Sequence, residues 1–139
     1  MKNISTKISL ALLAVIISSF LFIYGCGDDP ELGIGPIKEV KLEASVNADL
    51  SAKGKQIFDV KCVACHKIDE KLVGPALKDV TKRRKPEWIM NMILNPEQMT
   101  KENMVAKSLF AQYLVQMTFQ NVTQDEARAV LEYFRSNDK

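Results

Sequence analysis

A chain of 139 residues, 47% apolar and 7% aromatic, holds one domain plus a leader and is too short for two ordinary domains. The formal charge is +2, and setting aside Lys2 and Lys7 leaves acids and bases in balance, so no overall field draws the chain onto nucleic acid. With three Cys and one His, a structural zinc site is a ligand short: Cys26 stands apart, and Cys62, Cys65 and His66 fall below the usual four.

Lys2 and Lys7 precede residues 8–24, a run without charge. A basic start, an apolar stretch and then small residues read as an export signal, and the run is short for a membrane span. Ile23-Tyr24-Gly25-Cys26 resembles the lipobox of bacterial lipoproteins, with Tyr24 bulkier than usual. That resemblance implies a signal peptide over 1–25 and a lipid-carrying Cys26. The alternative is an uncleaved anchor helix. Both put the domain outside the cytoplasm, tethered to a membrane. Residues 26–49, with Gly27, Pro30, Gly33, Gly35 and Pro36, read as a flexible linker, leaving 50–139 as the folded domain.

The first helix is expected from Ser51 as N-cap, with Gly54 and Phe58 one turn apart on one face. It leads to Cys62-Val63-Ala64-Cys65-His66. Two cysteines three apart on a helical turn point the same way, so both can form thioethers to one haem edge. The next residue then brings its imidazole to the iron. The pattern reads as c-type haem attachment. A redox dithiol would need a βαβ setting, which is not visible, and a plain disulfide leaves the lone His unexplained.

Gly74-Pro75 marks a turn, and a helix is expected over 86–94 with Pro86 at its first position. Ile89, Met92 and Ile93 form its stripe, which puts Met90 and Met92 in the core or on the helix surface. Thr100 and Asn103 open a helix running to about Tyr113. Thr123-Gln124-Asp125-Glu126 is a capping box for a last helix with Ala127, Val130, Leu131 and Phe134 on its apolar face. Met117 lies in the break before that helix. Strand signals are few, so the class is all-α.

Over residues 50–137 these features resemble class I cytochrome c. The resemblance implies three to five helices around one covalent haem c, with Gly54 and Phe58 packing on the last helix beside Tyr133 or Phe134. It implies that the Pro75 carbonyl accepts the Nδ1 proton of His66, which fixes the ligand's tautomer. It also makes Met117 the sixth ligand, with Met99 next and Met104 third; a soft thioether raises the potential. Thr118 departs from the family, which usually has Pro there. Trp88 could line the pocket, face a propionate or simply pack. The basic run 82–85 reads as a solvated loop, with partner docking or propionate neutralisation as alternatives.

The implied function is one-electron transfer between membrane or periplasmic redox proteins, without small-molecule chemistry of its own. The alternatives are a haem-carrying subunit of a larger oxidoreductase, or an open-site haem protein that binds small molecules. Residues 95–135 are also similar to small lipoprotein cytochromes associated with nitrous oxide reduction.

Overall fold

The computed structural model describes residues 29–138. The expected signal segment and Cys26 lie outside the described residues. The architecture is all-helical, with six helices among the described residues: α1 Ala48–Lys61, α2 Val80–Arg83, α3 Pro86–Leu94, α4 Pro96–Glu102, α5 Met104–Tyr113 and α6 Gln124–Asn137. The number exceeds the expected three to five for two reasons. A four-residue turn of helix forms at α2, and the middle segment is cut at Asn103 into α4 and α5. No helix among the described residues is long and apolar enough to cross a membrane.

Helix ends follow side-chain chemistry. α1 starts earlier than expected because Asn47, not Ser51, is the N-cap; its side chain accepts from the Leu50 N–H at 2.9 Å. Ser51 is buried, and its hydroxyl bonds that of Ser136 at 3.0 Å. Pro86 occupies the first position of α3, as expected, and Pro96 that of α4. α5 is capped by Asn103, which accepts from the Val105 and Ala106 N–H groups at 3.1 Å. α6 carries the expected capping box between Thr123 and Glu126.

The main packing event is the crossing of α1 with α6. A Cβ at Gly54 would collide with the Ala129 backbone, so only glycine allows this approach. One turn on, Phe58 packs on Tyr133 and on Phe134, with ring centroids 5.4 and 5.9 Å apart. Glu132 is buried on α6, and its Oε1 lies 2.6 Å from Arg128 and 2.6 Å from Arg135. Those two guanidinium groups compensate a carboxylate that would otherwise be costly to bury.

The segment expected as a flexible linker is docked from residue 30 onward. Ile37 is buried in the core. Asn91, fully buried on α3, accepts from the Ile37 N–H and donates to the Leu32 and Ile37 carbonyls, each at 2.9 Å. Glu87 accepts from the Val40 N–H at 2.8 Å, and Asn103 donates to the Pro30 carbonyl at 2.8 Å. Irregular backbone can be packed only if its polar groups find partners, and helix side chains supply them here. Gly33, at φ +74, and Gly35 let this strap lie against Met99 and Asn91, where a Cβ would clash.

Candidate functional site

The end of α1 carries the motif into one more helical turn. The Cys62 N–H bonds the Phe58 carbonyl at 2.9 Å, and the His66 N–H bonds the Cys62 carbonyl at 2.9 Å. Cys62 is half-buried and Cys65 exposed, and no disulfide joins them. Burial pushes the Cys62 thiol up to about 11, the reverse of the depressed value that a reactive redox dithiol requires.

His66 is fixed from two sides. The loop returns on it through the Gly74 N–H, which donates to the Cys65 carbonyl at 2.8 Å. The Gly74 backbone lies against the ring so closely that a Cβ there would sit 2.8 Å from Nδ1. The Pro75 carbonyl lies 3.1 Å from His66 Nδ1. A carbonyl can only accept, so Nδ1 carries the proton and Nε2 keeps its lone pair. Burial lowers the imidazole pKa from its usual value, and the Pro75 bond opposes this in part. The ring is therefore neutral at pH 7, the form that binds a metal. Arg83 clamps the same loop by donating to the Ala76 and Lys78 carbonyls.

Cys62, Cys65 and His66 line a cleft of about 270 Å³ whose walls are mostly apolar. Phe58, Leu77 and Val80 contribute near the motif. Ile89, Met92, Ile93, Leu109, Phe110 and Val130 contribute from α3, α5 and α6, and Met117 from the loop before α6. The donor set fits a covalently attached haem. Two thiols and an oriented, neutral imidazole border one apolar cleft, and Gly74 leaves the imidazole room to stand upright.

The methionines divide sharply. Met117 is half-buried and lines the cleft. Met99, the second ligand candidate, is fully buried inside α4, outside the cleft lining, and its sulfur accepts from the Ile34 N–H at 2.9 Å. Met104, the third, is 70% exposed and lies away from the cleft. Met92 also lines the cleft, a position that its place in the α3 stripe did not single out.

Trp88 lines the cleft, but its indole N–H donates to Asn103 Oδ1 at 3.2 Å and so is not directed at a propionate. Arg84 stacks over its ring at 5.4 Å and lines the cleft with Arg83. Lys82, Arg83 and Lys85 are exposed, as expected of a solvated run, and the ion pairs of the two lysines lie at the surface: Lys82 with Asp79 at 2.8 Å, and Lys85 with Asp29 at 3.0 Å. Sequence reasoning also passed over Thr100 and Gln116, both in the lining. Neither residue type carries a pattern that marks such a role.

A sequence model of the cytochrome c family matches residues 51–138. Over 28 residues the chain is 61% identical to cytochrome c-551 of Pseudomonas denitrificans, which covers 19% of this chain and 34% of that protein; the match thus spans about a third of that relative's length. Among solved structures, a cytochrome c from Rhodothermus marinus is 46% identical and superposes with a TM-score of 0.75 over 78% of this chain and 96% of its own. A cytochrome c domain from Pseudomonas putida is 28% identical, with a TM-score of 0.54 over 60% of this chain and 85% of its own.

Proposed function

The chain belongs to the cytochrome c family, and from that premise we propose that it is a one-electron carrier of one haem c, which Cys62 and Cys65 would anchor as thioethers and whose iron His66 and Met117 would bind. Family membership carries the coarser part: a covalently bound c-type haem and haem-based electron transfer. The observation that supports the finer part is the cleft itself. It gathers the two thiols, an imidazole whose Nε2 is free, and Met117, while Met99 and Met104 lie elsewhere.

The residues divide the work. Thioethers at Cys62 and Cys65 keep the group in place through changes of iron valence. Pro75 and Gly74 hold the imidazole in one tautomer and orientation, which limits rearrangement between oxidation states. The apolar lining would keep water from the group, and the Met117 thioether would compete with small molecules for its iron. Arg83 and Arg84 bring positive charge to the lining, suited to propionates. When bound, the haem supplies the one-electron couple. Electrons pass to and from other redox proteins, with a reductase of the nitrous oxide type as one acceptor that the resemblance suggests. The setting is the periplasmic side of a bacterial membrane. Residues 1–25 serve as signal peptide and Cys26 as the lipid attachment point.

A visible spectrum with a redox titration tests this reading. One haem per chain, a one-electron wave and a long-wavelength Met–Fe(III) band are expected. Met117→Ala should abolish that band, lower the potential and let the reduced protein bind carbon monoxide rapidly. If the unaltered protein already binds carbon monoxide rapidly and tightly, the open-site reading replaces this one.

A further inference from the structure

The loop that carries Met117 runs between α5 and α6 with little backbone support. It is bounded by two residues in the left-handed region, Leu114 at φ 55 and Asn121 at φ 51. Among the described residues, none of 115–122 makes a backbone–backbone hydrogen bond. Thr118, directly after Met117, leaves φ free where a proline would fix it, and the brace within the loop is an exposed one, Gln120 donating to the Thr118 carbonyl at 3.1 Å and hydroxyl at 3.0 Å. A loop of this kind pays ordering entropy each time it presents one side chain in one place. Something else must hold Met117.

Gln116 is placed to do so. Its Nε2 donates to the Met117 carbonyl at 2.7 Å, and its Oε1 lies 2.8 Å from the hydroxyl of Thr100 on α4. Chemistry fixes the orientation of this carboxamide. The Met117 carbonyl can only accept, so the NH₂ group must face it. The oxygen then faces the Thr100 hydroxyl, whose one proton it shares with the Pro96 and Glu97 carbonyls, each at 3.0 Å, Gln116 being the nearest of the three acceptors at 2.8 Å. Thr100 is itself buried, on a helix anchored by the fully buried Met99. All three residues, Thr100, Gln116 and Met117, line the cleft.

We propose that Gln116, anchored on Thr100, is the positioning residue that holds the Met117 loop at the cleft and keeps the thioether in place against competing ligands. The proposal rests on Met117 being the sixth ligand. Two hydrogen bonds do here what a rigid loop residue would do elsewhere: they lower the number of conformations in which Met117 faces away. Losing both should raise the population with a vacant sixth position about tenfold. The carboxylate of Gln116→Glu can still accept from Thr100 but repels the Met117 carbonyl, so it should loosen the loop despite its matched size. Thr100→Ser keeps the hydroxyl and should behave as the unaltered protein, whereas Thr100→Val should not.

The test uses the haem-loaded full chain. Imidazole affinity of the ferric protein and the pH at which the Met–Fe(III) band disappears are measured for Gln116→Ala, Gln116→Glu, Thr100→Val and Thr100→Ser. The expected result is about tenfold tighter imidazole binding in Gln116→Ala, which loses both bonds, and a smaller gain in Gln116→Glu and Thr100→Val, which lose one each, with the band lost at lower pH in all three and Thr100→Ser unchanged. Unchanged values in both Gln116 variants overturn the proposal, and so does a fall in melting temperature with both readouts unmoved, which marks a merely structural role. If the unaltered protein lacks the band, or Met117→Ala keeps it, the sixth-ligand reading itself has failed. If Met117→Ala loses the band and the Gln116 variants change nothing, only the positioning role is lost.

Discussion

The two loops that border the cleft are built on opposite principles. The His66 side is held mainly by its own backbone, with the Arg83 side chain as an added clamp. Gly74 bonds Cys65, Leu77 bonds Ile68, Lys78 bonds Ile68 at 2.7 Å, and Pro75 bonds the imidazole. The Met117 side is held by side chains: Gln116 within the loop, Thr100 on α4, and Lys61 on α1, which donates to the Asn121 carbonyl at 2.8 Å. Backbone bonds within a short loop form together or not at all, whereas distant side-chain anchors can be lost one at a time. The His66 side should therefore fail abruptly under substitution, and the Met117 side by degrees.

The largest effect should come from Gly74→Val. A branched side chain there meets the His66 ring, whose Nδ1 is held in place by the Pro75 carbonyl. The expected outcome is loss of most haem-loaded protein, read from absorbance per chain after purification. A variant that loads normally with an unchanged spectrum would show that the His66 loop yields as easily as the other, and the contrast between the loops would collapse.

The same contrast explains what could be read from the sequence. Cys62, Cys65, His66, Gly74 and Pro75 sit within fourteen positions, so the interactions among them are local and leave a pattern. The capping box at Thr123 and the Gly54–Phe58 spacing are local too, and the structure has both as expected. What escaped is long-range. The docking of residues 30–47 draws on Asn91, which looks like an ordinary helix residue, and on Asn103, which reads only as a helix start, until the strap's carbonyls reach them. Composition rich in Gly and Pro read as a linker, but Gly33 and Gly35 are there for close approach to Met99 and Asn91. The Thr100–Gln116 contact spans two elements, and no spacing rule announces it.

A middle-sized effect follows at the joint between the strap and the Met117 side. Asn103 accepts from the Trp88 N–H, caps α5 and donates to the Pro30 carbonyl, while being almost wholly buried. Asn103→Ala removes the cap and leaves the Trp88 donor unpaired, for a combined cost of about 2 kcal/mol. Denaturant unfolding of the haem-loaded protein should show this as a lower midpoint at an unchanged slope. Haem content and the His66 environment should be preserved, since no Asn103 bond reaches the His66 loop. An equal loss of haem loading in this variant and in Gly74→Val would mean that the two sides are one cooperative unit.

The smallest effect tests the last anchor of the Met117 loop, where it enters α6. The Thr123 N–H donates to Glu126 Oε2 at 2.9 Å, and Lys61 approaches the same oxygen at 3.2 Å. The Thr123 bond first, and the Lys61 ammonium second, hold the Glu126 carboxyl below its ordinary value of 4.5. A carboxyl with a depressed folded pKa adds stability that is fully present above 4.5 and is lost as pH falls through the lower, folded value. Glu126→Gln never has that charge-dependent part, although its amide oxygen can still accept from Thr123. The two proteins should therefore differ slightly in melting temperature at neutral pH, and the difference should close below pH 4.5. Because Lys61 also holds the Asn121 carbonyl, the Met–Fe(III) band of the unaltered protein should weaken over the same acid window, ahead of global unfolding. Coincidence of the two transitions would show that this end of the loop is no looser than the rest of the fold.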